Sequence, residues 1–250
     1  MKKILLVSGC SYTDTNWVSE IHPDIDTSWP KWPELLAEKL DMRLINVANS
    51  GSGNEYIYTS LLEAITFNIN NLSDIGLVIP AWSACQRKDY QEGQTGRWTN
   101  ARLDPHGDVF SWVKRSLKYY LSFQILCERY NLPYMQAQML ESYRDIFKGL
   151  RYGHVDIAKG LKTIEDKIEY KGDARSHNKK VIEIIMNYDN KINENKFIGW
   201  PIARELGGFT VSSNTLESDN KIDFRVSKLD NHPNKLGQER IAEYIYDRLG

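Results

Sequence analysis

The stretch "KILLVSGCSYT", residues 3–13, decides the fold class of this chain. Its apolar run, Ile4 to Val7, is rich enough in branched residues to predict a buried parallel strand. The run stops abruptly at Gly9, and small and hydroxyl residues follow. Ser11 is therefore either part of an ordinary turn or a residue at the functional edge of a sheet.

Strand-like and helix-like segments alternate outward from this first strand. That order predicts an α/β fold, a three-layer α/β/α sandwich with a flavodoxin-like parallel sheet. Asn54, after a glycine-rich turn, is expected to cap the second helix. Strands are predicted over 3–8, 43–47, 75–81 and 132–138, and helices over 33–40, 54–68, 111–130 and 234–249.

Two stretches do not fit the alternation of strands and helices. Both are interpreted as insertions in a single domain, residues 1–250. Residues 86–110 are polar and contain several glycines, and residues 141–195 are charged and lysine-rich. A separate helical lid or subdomain over 141–195 is the alternative, because long insertions usually carry function or are disordered.

Composition argues against several classes of protein. The chain has 250 residues and a formal net charge of -1, so a nucleic-acid partner is not expected. No apolar run approaches the ~20 residues that span a bilayer, and the N-terminus lacks the features of a signal peptide. We expect a cytoplasmic protein without a membrane partner. Three scattered cysteines favour neither a disulfide framework nor a zinc site.

The residues that follow each predicted strand should meet at one edge of the sheet, where open parallel sheets bind ligands. Together they contribute the parts needed for nucleophilic acyl transfer: a hydroxyl, a base, a carboxylate and amide donors. These segments are 9–13, 49–54, Ser83 with Arg87, and 230–234 just before the last helix.

Three of these segments resemble the motifs of one known family, the SGNH or GDSL-like hydrolases. "GCSYT" is similar to the block that supplies the nucleophile, and "NVANSGSGN" to the block whose glycine helps form the oxyanion hole. "DNHPNKLGQERIAEYI" is similar to the last block, in which Asp and His precede the final helix. The resemblance covers residues 3–82 and about 197–250.

The resemblance implies a role for each matched residue. Ser11 is the nucleophile, His232 the general base and Asp230 the carboxylate that orients the imidazole. The amides of Ser11 and Gly51 would face the oxyanion. No metal or organic cofactor is implied.

This chain departs from the family pattern in two places. The spacing is Asp-x-His rather than Asp-x-x-His, which leaves Asp223 as a fallback for orienting the base. The third strand runs into "PAWSACQR", without the asparagine that completes the family's oxyanion hole. Asn54, Ser83 or Arg87 would have to substitute for it. Arg87 is equally open to pairing with a scaffold carboxylate or to binding an anionic substrate group.

Simpler interpretations remain beside the catalytic one. Ser11 can satisfy backbone amides in a turn, Cys10 can replace it as a thiol nucleophile, and the Gly51-x-Gly53 step can cradle a phosphate. The other histidines are expected at the surface: His22, His106, His154 and His177.

The sequence thus predicts a serine hydrolase acting on a small-molecule or carbohydrate ester, with short acyl or O-acetyl groups favoured. The alternative is a non-catalytic binding or structural protein on the same scaffold. Neither the substrate nor the oligomeric state follows from the sequence.

Overall fold

A computed structural model of the chain describes residues 2–143, 174–220 and 222–249. The five strands of its main sheet are all parallel, and their spatial order is second, first, third, sixth and seventh along the chain. This arrangement confirms the predicted flavodoxin-like α/β fold. The strands are β1 (Ile4–Ser8), β2 (Arg43–Asn46), β3 (Ile75–Trp82), β4 (Lys88–Gln91), β5 (Trp98–Ala101), β6 (Gln136–Gln138) and β7 (Phe197–Ile198), with β4 and β5 pairing as a separate antiparallel hairpin.

Helices cover both faces of the sheet. They are α1 (Trp32–Lys39), α2 (Asn54–Glu63), α3 (Val109–Arg129), α4 (Ala174–Met186), α5 (Val211–Leu216) and α6 (Lys235–Tyr246). A π-helical turn, Ala64–Asn68, extends α2, and 3₁₀ turns lie at Leu72–Asp74, Glu194–Lys196 and Arg204–Leu206. The helices α2, α3 and α4 share one core with the sheet, and α1, α5 and α6 share the other.

Strand β1 contributes to both cores. Side chains alternate between the two faces of a strand, so Ile4 and Leu6 pack beneath α2 and α3 whereas Leu5 and Val7 pack beneath α1 and α6. All four are buried. This two-sided burial explains why the segment reads as a continuous apolar run and why it determines the centre of the sheet.

The insertion at 86–110 forms the β4–β5 hairpin, and this hairpin anchors the glycine-rich loop before α2. The carboxylate of Asp89 accepts hydrogen bonds from the amides of Gly53 (2.8 Å) and Tyr56 (2.9 Å). The predicted cap was wrong: Gly53 occupies the N-cap position, Asn54 is the first helical residue, and Asp89 supplies the capping oxygens. A carboxylate at this helix start repels an anion, which argues against a phosphate cradle at Gly51-x-Gly53.

We expect Asp89→Ala to lower the free energy of unfolding by about 2 kcal/mol, because it leaves the buried N–H of Gly53 and the part-buried N–H of Tyr56 without acceptors. The midpoint of urea unfolding, monitored by circular dichroism, measures this loss. Asp24 is an exposed aspartate that serves as the matched control, and Asp24→Ala should leave the midpoint unchanged. Equal midpoints for Asp89→Ala and the unmodified chain would show that Asp89 does not hold this loop.

Several elements differ from the sequence predictions. Of the strand expected over 132–138, only Gln136–Gln138 forms a strand, β6. The short elements β7 and α5 were not predicted. The lid or subdomain proposed for 141–195 lies largely outside the described residues; within it, α4 packs on α3. None of the helices in the described parts of the chain is long and apolar enough to cross a bilayer.

Candidate active site

Ser11 lies in a tight turn immediately after β1, at the carboxyl edge of the sheet. The carbonyl of Cys10 accepts hydrogen bonds from the amides of Thr13 (2.8 Å) and Asp14 (3.0 Å), which closes the turn. A Cβ atom at Gly9 would come within 2.3 Å of the Thr13 hydroxyl oxygen, so only glycine fits there. The turn therefore brings Ser11 out of the core while Cys10 stays fully buried within it.

His232 lies between Ser11 and Asp230. Its Nε2 atom is 2.8 Å from the Ser11 Oγ, and its Nδ1 atom is 2.6 Å from Oδ1 of Asp230. The same Oδ1 accepts the backbone amide of His232 at 3.1 Å. Because the carboxylate folds back onto its own turn, the short Asp-x-His spacing still permits the contact.

Asp223, the fallback for orienting the base, contacts Asn220 and Asn234 rather than His232. Its carboxylate accepts a hydrogen bond from the side chain of Asn220 at 2.7 Å. Its backbone carbonyl accepts another from Asn234, whose side chain caps α6. Asp230 is therefore the carboxylate that contacts His232.

The electrostatics of the pair keep the imidazole neutral and the carboxylate ionised near pH 7. Burial lowers the pKa of His232 below 6.5, although the hydrogen bond and negative charge of Asp230 oppose this shift. Burial raises the pKa of Asp230, but hydrogen bonds from Ser19 and His232 outweigh it and hold the pKa below its usual value. With Nδ1–H donating to the carboxylate, Nε2 is free to accept the proton of Ser11.

This balance predicts a pH profile for any reaction that uses His232 as a base. Only the neutral imidazole accepts a proton, so the rate should rise with pH through the pKa of His232 and level off near neutrality. We expect the midpoint of the acidic limb of kcat/KM to lie below pH 6.5. A profile from about pH 4.5 to about pH 8 measures it, and a midpoint above 6.5 would contradict the prediction.

Aromatic side chains fix the position of the imidazole. The ring of Trp17 stacks on His232 with centroids 4.4 Å apart and planes inclined by 28°. Tyr12 packs at 5.3 Å and donates its hydroxyl to the carbonyl of Asn231 at 2.7 Å. Sequence reasoning did not identify either side chain as part of the site, because neither belongs to a spacing typical of catalysis.

The glycine-rich loop before α2, residues 49–53, lies beside the Ser11 turn. The amide of Asn49 donates to the carbonyl of Gly9 at 3.1 Å, and the carboxylate of Asp14 accepts both the amide and the hydroxyl of Ser50 (3.0 and 2.7 Å). Gly51 has φ +82°, a left-handed conformation that favours glycine. Within the described residues, the amides of Ser11 and Gly51 have no acceptor.

The three residues considered as substitutes for the missing asparagine differ in their contacts. Asn54 is buried, and its amide both donates to the carbonyl of Ser83 (3.2 Å) and accepts from its N–H (2.8 Å), so it joins α2 to the end of β3. The hydroxyl of Ser83 is buried without a partner among the described residues. Arg87 is half-buried and donates from Nη1 to the carbonyl of Ser52 at 3.0 Å.

Arg87 is the member of this set whose charge acts on His232. Burial is the main cause of the lowered pKa of His232, and the positive charge of Arg87 lowers it further. In the described parts of the chain, no cluster of three or more His, Cys, Asp or Glu forms a candidate metal site. The groups that the structure brings together at this edge are a hydroxyl, a neutral imidazole, a carboxylate and a guanidinium.

Comparisons with known proteins found distant similarities to solved structures. No family model and no curated protein matches it. The structures that it resembles over nearly its full length include SGNH or GDSL-family hydrolases and esterases, at low sequence identity. One is a protein assigned to the G-D-S-L family of lipolytic proteins, from Desulfitobacterium hafniense DCB-2 (13% identity, TM-score 0.48, 99% of both chains covered).

Two further neighbours are named as esterases. One is the psychrotrophic esterase EstA from Pseudoalteromonas sp. (15% identity, TM-score 0.43, 99% of this chain and 96% of that one). The other is an acetyl-xylooligosaccharide esterase from Geobacillus (9% identity, TM-score 0.41, 100% and 94%). These similarities are low, so the functional proposal rests on the geometry of the site.

Proposed function

We propose that this chain is a serine hydrolase of the SGNH type that cleaves short acyl esters, including O-acetyl esters of carbohydrates. The observation that carries the proposal is the continuous hydrogen-bonded chain from Ser11 Oγ through His232 to Asp230. Nucleophile, base and orienting carboxylate in this order are the geometry of nucleophilic acyl transfer. The ester substrate itself is taken from the motif resemblance.

Each step of the reaction follows from this geometry. Ser11 Oγ bonds to the carbonyl carbon while its proton passes to Nε2 of His232, and the π electron pair moves onto the carbonyl oxygen. Collapse of this tetrahedral anion breaks the ester C–O bond, and the leaving alcohol takes the proton from Nε2. Water then attacks the acyl carbon and loses a proton to Nε2 of His232. Collapse of this second tetrahedral anion breaks the bond between the acyl carbon and Ser11 Oγ, Oγ takes the proton from Nε2, and the free acid leaves.

The oxyanion is stabilised by the amides of Ser11 and Gly51, which have no acceptor within the described chain. Loss of one donor of this kind typically costs ~100- to 1000-fold in turnover. We assign the third stabilising contribution to Arg87, because Asn54 is engaged with Ser83. Arg87 reaches the same loop through the carbonyl of Ser52 and supplies a positive charge.

Covalent labelling tests the proposal. A fluorophosphonate probe should phosphonylate the chain with a stoichiometry of one, and peptide mass spectrometry should locate the label at Ser11. Hydrolysis of p-nitrophenyl acetate should disappear in parallel with labelling. Label at another residue, or full hydrolysis after complete labelling, would contradict the assignment of the nucleophile.

One observation favours the alternative, a non-catalytic binding or structural protein on this scaffold. Residues 83–87, directly after β3, contain no asparagine, and the amide of Asn54 is used by the scaffold. If this alternative holds, neither labelling nor hydrolysis of short esters will be detected. The same two assays therefore separate the two functions.

A further inference from the structure

The second oxygen of the Asp230 carboxylate has its own partner. Ser19 donates a hydrogen bond from Oγ to Oδ2 of Asp230 at 2.5 Å, and both side chains are 2% exposed. Ser19 lies in the irregular segment between β1 and α1, 211 positions away in sequence. The motif comparison assigns this segment no role, so the contact lies outside the serine–histidine–aspartate set already described.

The hydroxyl of Ser19 is itself held in one orientation. It accepts the backbone amide of His22 at 2.9 Å, so its single proton is directed to Asp230. His22 was expected at the surface, but it is half-buried and its Nε2 lies 2.7 Å from the hydroxyl oxygen of Ser227. Ser227 in turn accepts the amide of Asp230 at 2.9 Å.

These bonds form a closed ring that joins the two loops: Ser19 to Asp230, Asp230 to Ser227, Ser227 to His22, and His22 back to Ser19. A closed ring holds each member against rotation better than separate bonds do. The Asp230 carboxylate is therefore fixed on both oxygens, one by His232 and one by Ser19.

The short Asp-x-His spacing makes this support necessary. Oδ1 of Asp230 serves both the backbone amide and the imidazole of His232, so a small rotation of the carboxylate would break both bonds at once. The hydroxyl of Ser19 opposes that rotation. Burial raises the pKa of Asp230, and the hydrogen bond from Ser19 is the first of the contacts that reverse the shift.

We infer that Ser19 is a positioning residue of this site, the fourth member of a hydrogen-bonded chain that runs Ser11–His232–Asp230–Ser19. It acts through Asp230, which it holds in the orientation that keeps Nε2 of His232 directed at Ser11. This role rests on the proposed hydrolase function, but the contact itself is measurable without a substrate.

The test compares Ser19→Ala with the unmodified chain, using p-nitrophenyl acetate. Active sites are counted with the fluorophosphonate probe, so that kcat is expressed per competent site. We expect kcat per site to fall roughly 10-fold, because a hydrogen bond to a charged group is lost, with little change in KM. The acidic limb of kcat/KM should move to higher pH, since a carboxylate without Ser19 attracts the imidazole proton more strongly. Ser28→Ala, an exposed serine in the same segment, is the matched control and should change neither quantity.

A second measurement needs no activity. The low-field ¹H resonance of His232 Nδ1–H, and the pKa of His232 from an NMR titration, should both shift in Ser19→Ala but not in Ser28→Ala. An unchanged resonance, pKa and kcat per site would overturn the inference, even if Ser19→Ala lowers the number of competent sites. Failure of the unmodified chain to hydrolyse esters or take the label would count against the proposed function, and the NMR comparison would still decide the role of Ser19.

Discussion

Ser11→Ala is expected to lower kcat for p-nitrophenyl acetate by about 10⁴-fold or more, because it removes the atom that bonds to the carbonyl carbon. In a well-studied serine protease the corresponding loss is ~10⁶-fold. The figure here is smaller because, in our proposal, Arg87 replaces the oxyanion asparagine, and a donor that is only partly replaced lowers the starting rate by up to ~100-fold. Initial rates at saturating ester, with the uncatalysed rate subtracted, measure the effect.

Ser11→Ala should not disturb folding, because His232 is the one partner of the hydroxyl among the described residues and the side chain is small and 8% exposed. Circular dichroism and the urea midpoint should match those of the unmodified chain. Ser28 is exposed and contacts Asp26 rather than His232, so Ser28→Ala should keep full activity. Equal rates for Ser11→Ala and the unmodified chain would remove Ser11 from the mechanism.

The fold was predictable from the sequence where burial leaves a recognisable pattern of apolar residues. Strand β1 is apolar on both faces because it lies between two cores, and this pattern is readable from residues 4–7 alone. The strand β7 has only two residues, so no period exists to detect. The cap of α2 comes from Asp89 on a hairpin inserted 36 positions later, which no local capping rule can find.

The residues of the site, too, were only partly predictable from the sequence. Ser11, Asp230 and His232 could be named because they adjoin predicted elements in recognisable motifs, and the structure brings their side chains into hydrogen-bond contact. Their catalytic roles stay predictions. Ser19 and Trp17 lie in the irregular segment before α1, where residues follow no repeat. Only the folded chain brings that segment to the turn that bears His232.

Asp230→Asn is the second substitution for which we expect a large effect, about 10³- to 10⁴-fold in kcat. The amide is nearly the same size as the carboxylate, so the packing around His232 should survive. The oxygen of the amide fits the Oδ1 position, which accepts the backbone amide and Nδ1–H of His232, so the NH₂ group faces Ser19. The amide is neutral, however, and no longer stabilises the positive charge that forms on the imidazole when Nε2 takes the proton of Ser11. Steady-state kinetics with p-nitrophenyl acetate at about pH 7 measure the loss.

Asp223→Asn is the matched control, because Asp223 is the other carboxylate close in sequence to the last helix and contacts Asn220 rather than His232. It should change kcat by less than about 2-fold, in the range typical of a surface substitution. The two variants together identify which carboxylate orients the base. If Asp223→Asn lost activity and Asp230→Asn kept it, the 2.6 Å contact between Asp230 and His232 would have no part in catalysis. The imidazole would then be oriented by the longer route through Asp223, which the motif spacing had left open.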